Sequence, residues 1–241
     1  MKNTALICFP YAGAGSAVFH SWQSSAAEGL RVCPIVLPGR ERRISESPLR
    51  SVNAAVDDSW GSILEVTKWA DRIEVFGHSL GAVLAYETVC RLALHTPDRS
   101  VRLLVSGAPA PSRPRDERAT GLPDDQFINR VVEFAGVAHA AFDDNELRSL
   151  LLPMIRADVE MHENYQAEIR DPLPFPIVSF RGNRDTLVSK EDAVAWQEYT
   201  SIKFEYVEVG GDHMYLISNS KQILQTAYIA CRPRILPRIQ R

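Results

Sequence analysis

Long apolar runs are missing from this chain of 241 residues. None approaches the roughly 20 consecutive apolar residues of a membrane-spanning helix, so a helical membrane protein is excluded. The opening Met1-Lys2-Asn3-Thr4-Ala5-Leu6-Ile7-Cys8-Phe9-Pro10 carries one basic residue and a very short apolar stretch, too little for a secretory signal, and the expected location is the cytoplasm. Cysteine is scarce. Cys8, Cys33, Cys90 and Cys231 form no CxxC pair and no Cys/His zinc spacing, so no metal is expected and buried reduced thiols are. Charge of neither sign dominates: 27 Lys and Arg against 30 Asp and Glu leave a net charge of −3, which argues against bulk affinity for nucleic acid. Internal repeats and low-complexity tracts are absent as well. What remains, 45% hydrophobic and 24% charged residues, is the composition of a globular chain able to bury a sizeable core without disulfides or metals.

What is present is an alternation of short apolar runs with helical stretches. Strands are predicted at Ala5–Phe9, Val32–Leu37 (stopped by Pro38-Gly39), Arg72–Phe76, Val101–Val105, Ile177–Phe180 and Phe204–Val209. Helices are predicted at Ser16–Gly29, with Ser16 as N-cap, and at Val52–Trp69, Leu80–Leu94, Glu191–Tyr199 and Lys221–Ile229. Such alternation implies an α/β fold, a mostly parallel central sheet with helices on both faces. One segment interrupts it. From about 110 to 171 no convincing strand appears, while Asp124–Phe134 and Asn145–Tyr165 read as helices. An insert of about 60 residues is too long for a loop and is expected to form a helical lid over one end of the sheet, within a single domain spanning residues 1–241.

The chemistry is concentrated in Gly77-His78-Ser79-Leu80-Gly81. The pattern Gly-x-Ser-x-Gly is weak alone, but here it directly follows the apolar strand Ile73-Glu74-Val75-Phe76 and opens a helix. That is the strand-turn-helix setting of a nucleophile elbow, which exposes the serine oxygen above the sheet. A serine hydroxyl needs an adjacent base, itself oriented by an acid. In this architecture the chain order is Ser, then Asp or Glu, then His. Of the six histidines, His78 lies inside the elbow, His20 and His95 in helices, and His139 and His162 in the insert; His213 follows the last strand in the loop Gly210-Gly211-Asp212-His213. His213 is therefore the expected base. Asp185, at the end of the preceding strand in Arg181-Gly182-Asn183-Arg184-Asp185, is the expected acid; Asp212 is the rival, badly placed to reach the ring of its neighbour. An oxyanion hole would take the backbone N–H after the nucleophile, Leu80, and a second from an early loop. The Gly-rich Phe9-Pro10-Tyr11-Ala12-Gly13-Ala14-Gly15 follows the first strand and lacks the signatures of phosphate-binding loops.

Together with Leu37-Pro38-Gly39-Arg40-Glu41, Ser106-Gly107-Ala108-Pro109-Ala110-Pro111 and Leu152-Pro153-Met154-Ile155-Arg156-Ala157-Asp158, these motifs give the chain a family likeness over nearly its whole length. It resembles the stand-alone type II thioesterases of polyketide and nonribosomal peptide biosynthesis, within the α/β-hydrolase superfamily. The resemblance implies an α/β-hydrolase fold, Ser79 as nucleophile, Asp185 as acid, His213 as base, and the Ala12 and Leu80 amides as oxyanion hole. It implies hydrolysis of acyl groups from the phosphopantetheine arm of a carrier protein, no metal or cofactor of the enzyme's own, and a monomer. Two arginine groups, Arg40, Arg42 and Arg43, and Arg113, Arg115 and Arg118, are candidates to dock an acidic carrier protein, or else solvated surface. Phe127, Val131, Val132 and Phe134, with Leu147, Leu151 and Met154, would line the acyl channel or pack on the sheet; the basic tail from Arg232 to Arg241 reads as a frayed end. Competing readings are a general esterase, an acyl-CoA thioesterase, an acyltransferase with the same triad, and a non-catalytic member of the same fold.

Overall fold

A computed structural model describes residues 3–113, 118–135, 142 and 144–229. Cys231, His139, Arg115 and the basic tail lie outside the described residues. Six parallel strands form one sheet: β1 (Thr4–Phe9), β2 (Leu30–Pro34), β3 (Arg72–His78), β4 (Ser100–Ser106), β5 (Ile177–Gly182) and β6 (Phe204–Val209), in the order β2-β1-β3-β4-β5-β6. All six residues of β1 are buried, as they must be in a strand covered on both faces. Their side chains alternate between two cores. Ala5, Ile7 and Phe9 face a layer built from α2 (Val52–Trp69) and α3 (Leu80–His95), where Val56, Ile63, Leu84 and Val89 are buried. Leu6 and Cys8 face the opposite layer, with Trp22 of α1 (His20–Ser25) and Ile223 and Leu224 of α8 (Ser220–Ile229). At about 1.5–3 kcal/mol for each fully buried large apolar side chain, these two layers supply the main favourable term of folding.

The chain runs from β1 outward to β2, then crosses back over β1 to β3 and continues to β6. The switch in direction leaves a crevice at the carboxyl ends of β1 and β3, the place where open parallel sheets bind ligands. The register pairs Phe9 with Gly77, so the loop after β1 and the turn after β3 leave the sheet side by side.

Between β4 and β5 the described residues contain α4 (Asp124–Ala135) and α5 (Asn145–Glu163). Asp144 caps α5 by accepting the N–H groups of Glu146 and Leu147. The two helices make a third core of their own, with Phe127, Ile128, Leu152, Met154, Ile155 and Val159 buried in it and Ala12 packed against it. Phe127 and Met154 thus pack between the helices, whereas Leu147 is exposed. Shorter helices α6 (Lys190–Val194) and α7 (Tyr215–Ser218) complete the chain order. No helix among the described residues is long and apolar enough to cross a membrane.

Three expectations shift. The first helix is not a continuous Ser16–Gly29. A 3-10 turn over Ser16–Phe19 leads into α1, and the chain turns extended at Ala26. Ser16 does not cap it: its hydroxyl donates to Glu41, 2.5 Å away, and Glu41 also accepts the Ala17 N–H at 2.9 Å, so a residue from a distant loop takes the capping role. The second strand ends at Pro34, tolerable on an edge strand; Ile35, Val36 and Leu37 are apolar because their loop is buried. The first arginine group is largely neither solvated nor free. Arg40 is buried against Asp158, and Arg43 is paired with Asp58 and Glu46. In the second group Arg118 lies beside Glu163.

Candidate active site

Ser79 joins β3 to α3 with φ 54° and ψ −116°, a left-handed conformation that a side chain rarely adopts. The sequence around it makes the turn sterically possible. A Cβ on Gly77 would lie 1.8 Å from the Gly81 carbonyl oxygen, and one on Gly81 would lie 2.3 Å from that of Phe9. Both neighbours are backbone, so no larger residue fits either position. The Ser79 N–H donates to the Ser106 carbonyl at 2.8 Å, which ties the turn to β4. Leu80 is the first residue of α3, where backbone N–H groups have no partner within the helix.

Asp185 and His213 come from the loops after β5 and β6. The Asp185 N–H donates to the Gly182 carbonyl, turning the chain directly after the strand. The carboxylate is buried, and both of its oxygens are engaged. Oδ1 accepts the N–H groups of Leu187 (2.9 Å) and Val188 (3.1 Å), and Oδ2 lies 2.9 Å from Nδ1 of His213. The His213 loop approaches so closely that a Cβ on Gly182 would meet the Asp212 carbonyl oxygen at 2.5 Å. The Arg184 N–H donates to the Gly211 carbonyl and the Gly211 N–H to Asn183 Oδ1, so the two loops hold each other in register. Asp212, the rival acid, points elsewhere: it is exposed and accepts the N–H of Met214.

His213 adjoins the elbow. The His213 ring lies 5.0 Å from that of His78, centroid to centroid. His78 is completely buried. Its Nδ1 sits 2.9 Å from Ser106 Oγ, which in turn meets the Tyr215 hydroxyl at 2.5 Å; that hydroxyl donates to the Phe180 carbonyl. Burial, and secondarily the neighbouring His213, hold His78 well below the ordinary imidazole range, so it stays uncharged beside His213. Burial pushes the Tyr215 phenol up.

The loop after β1 is held from the helical pair. Gly13 (φ 80°) donates its N–H to Asp158 Oδ2 at 2.8 Å, and the Ala14 N–H donates to the Tyr11 carbonyl. Arg40 binds Asp158 through two bonds (2.8 and 2.7 Å) and donates to the Ala14 carbonyl at 2.7 Å. Sequence reasoning missed both this ion pair and the His78–Ser106–Tyr215 chain. Arg40 and Asp158 stand in two of the motifs that carry the family likeness, but 118 positions apart, and nothing local links them.

Cys8 and Cys90 are buried and Cys33 is half-buried, all three as free thiols. Burial raises the Cys8 thiol well above its ordinary value. Among the described residues no three His, Cys, Asp or Glu side chains are grouped to hold a metal ion.

Comparison with known proteins gives a consistent result. The thioesterase domain family matches residues 4–228. The chain is 32% identical to the gramicidin S biosynthesis protein GrsT of Aneurinibacillus migulanus over 97% of its own length and 91% of that protein's. It is 29% identical to the medium-chain S-acyl fatty acid synthase thioesterase of Rattus norvegicus, covering 93% of this chain and 86% of the rat protein. The solved structure of YbtT, the type II thioesterase from the yersiniabactin NRPS/PKS biosynthetic pathway, superposes with a TM-score of 0.85 at 27% identity, over 95% of this chain and 92% of YbtT.

Proposed function

The chain belongs to the thioesterase domain family, with type II thioesterases of NRPS/PKS pathways among its relatives, and on that premise we propose that it is a stand-alone editing enzyme that hydrolyses acyl or aminoacyl groups from the phosphopantetheine arm of carrier proteins. Ser79 is the nucleophile, His213 the base, Asp185 the acid, and the Ala12 and Leu80 amides the oxyanion hole. The observation that carries this reading is the 2.9 Å contact between Asp185 and His213 at the edge of the sheet where the strained Ser79 turn stands.

The reaction follows from the placement. His213 accepts the Ser79 proton as the oxygen attacks the thioester carbon, and the Asp185 carboxylate fixes the Nδ1–H tautomer and stabilises the imidazolium. The carbonyl oxygen gains negative charge beside the Leu80 and Ala12 N–H groups. The carbon–sulfur bond breaks; the thiolate is a good leaving group and takes the proton from His213. His213 then activates a water that attacks the acyl-serine, releasing the acid and restoring Ser79. The phosphopantetheine arm is substrate, and no cofactor is required in any step. One copy of the chain supplies all five groups, which suits a monomer, and its proposed location is the cytoplasm. The α4–α5 pair, packed against Ala12, is the lid, and the whole chain from 1 to 241 acts as one domain with that insert at about 110–171.

The likeness to the rat enzyme favours a second reading, in which the acyl group is a medium-length fatty chain. One experiment separates the readings. Hydrolysis of acetyl-loaded carrier protein, octanoyl-loaded carrier protein, acetyl-CoA and an activated aryl ester is compared for wild type and Ser79→Ala. Preference for the short-chain carrier substrate, lost in the variant, is the expected result. Preference for octanoyl supports the second reading. Best turnover of the free ester, or activity surviving in Ser79→Ala, refutes the proposal.

A further inference from the structure

The buried Arg40–Asp158 pair poses a question that the fold alone does not answer. Arg40 is 4% exposed and Asp158 fully buried. Taking two charges out of water costs several kcal/mol per ion, and apolar replacements of such pairs are often neutral or stabilising. Stability is thus a weak reason for this pair to exist. Its hydrogen bonds suggest another. One carboxylate oxygen, Asp158 Oδ2, accepts both from Arg40 and from the Gly13 N–H, while the same Arg40 nitrogen donates to the Ala14 carbonyl. Backbone groups of the two residues after Ala12, the Gly13 N–H and the Ala14 carbonyl, are therefore gripped by one ion pair. Ile155 of α5 lies 3.3 Å from where a Gly13 Cβ would stand, so the helix also packs close against the loop. Ala12 packs against both the sheet core and the helical core.

We propose that Arg40 and Asp158 are positioning residues for the oxyanion hole: the helical insert, through Asp158 on α5, sets where the Ala12 N–H points. The proposal rests on the assignment of Ala12 and Ser79 made above. Asp158 touches no reacting atom in this scheme; it acts through Gly13. It follows that a displacement of α5 large enough to break the Gly13–Asp158 bond would also disarm the site. An acyl chain or carrier protein that seats α5 correctly would thereby favour catalysis.

The test uses the full chain with Asp158→Asn, Arg40→Lys and the double variant Arg40→Met/Asp158→Leu. An aryl phosphonate titrates the fraction of protein with a reactive Ser79, and kcat and KM are measured per titrated site on an activated aryl thioester. A trifluoromethyl ketone, which forms a tetrahedral adduct with an oxyanion, supplies a separate inhibition constant. The expected result is a kcat per site lowered roughly ten- to hundredfold with KM within about threefold, since loss or misplacement of an oxyanion donor acts on the transition state. The ketone inhibition constant should rise by the same factor as kcat/KM falls, with Arg40→Lys intermediate. A pair that only holds the fold would instead lower the titrated fraction or the Tm and leave kcat per site and ketone affinity at wild-type values, which overturns the proposal. Where Asp158→Asn does not fold, Arg40→Lys and the double variant decide by the same criteria; recovery of kcat per site together with stability in the double variant also overturns it. Failure of the Ser79 assignment is distinguishable, because wild-type protein would then not be titrated by the phosphonate at Ser79.

Discussion

Replacing Asp185 with asparagine tests the acid role more sharply than removing it, because the structure dictates how the new amide must sit. Oδ1 accepts two backbone N–H groups, from Leu187 and Val188. An asparagine that turned its NH₂ toward them would face two donors with a donor and forfeit both bonds, at about 1 kcal/mol each plus the cost of leaving buried N–H groups unpaired. The amide oxygen therefore keeps the Oδ1 position and the NH₂ faces His213. An NH₂ there needs an acceptor, so Nδ1 gives up its hydrogen and the proton moves to Nε2. That is the nitrogen assigned to take the Ser79 proton, and it is now blocked. The corresponding change in proteases with this triad costs about 10⁴ in kcat, equivalent to about 5.5 kcal/mol of transition-state stabilisation. The fold should survive, because both backbone bonds are retained; one charge-assisted bond worth about 1.5–3 kcal/mol is weakened, a drop of several degrees in Tm. Steady-state hydrolysis of an activated thioester alongside a thermal melt measures both. Asp212→Asn is the paired control, expected to stay within a fewfold of wild type because its side chain accepts only from the neighbouring Met214 N–H. A loss of less than tenfold for Asp185→Asn, or an equal loss for Asp212→Asn, refutes the tautomer argument.

Two further predictions use other parts of the molecule. Gly81→Ala sets a Cβ 2.3 Å from the Phe9 carbonyl oxygen and 2.8 Å from that of Pro10, so it should push the loop after β1 away and reduce kcat by at least 10², whereas Gly61→Ala on α2, with nothing within 4 Å, should raise stability by about 0.5–1 kcal/mol and leave turnover alone; equal behaviour of the two in melts and turnover would contradict the close-approach reading. Glu74, buried on β3 beside Arg102 of β4, is pushed up to about 7 by burial despite its 2.6 Å contact with Arg102. Its folded-state pKa lies above the ordinary carboxylate value, so the native state holds the proton more tightly, and stability from this group is present below about pH 4.5 and lost as pH rises to 7, by about 3 kcal/mol in all. Urea unfolding of wild type and Glu74→Gln at pH 5, 6 and 8 should show that slope only in the wild type, and identical slopes would sink the idea.

Much of the fold was legible because its determinants are local. The strands are short runs of β-branched and apolar residues bounded by Gly, Pro and charged residues, and five of the six lie within two residues of their predicted limits. The exception, Val32–Leu37, shows what periodicity cannot separate: a buried loop and a buried strand have the same composition, and only the sheet's edge decides which residues find a partner. The first helix failed for a similar reason. Ser16 has the chemistry of an N-cap, but Glu41 reaches it from 25 positions away and takes over the turn.

The candidate site divides along the same line. Ser79, Asp185 and His213 could be singled out because each stands at a strand end with a local mark: an elbow, a turn, a Gly-rich loop. The parallel sheet then does the rest, since every strand releases its loop at one edge and the crossover between β2 and β3 brings β1 and β3 together there. The groups that support those residues carry no such mark. His78 and Ser106 are neighbours only because β3 and β4 pair in that register, and Arg40 looked like one of three surface arginines until α5 placed Asp158 against it. A buried charge is expensive enough that its partner must exist, yet a single sequence does not say which of 30 acidic residues it is. Residues that bear the proposed chemistry can thus be recognised by their local setting, while those that hold it in place are recognisable only by what the finished fold brings to them. That is why the Arg40–Asp158 pair, invisible to local pattern, is the part of this site whose removal would say most about how the helical insert and the chemistry are coupled.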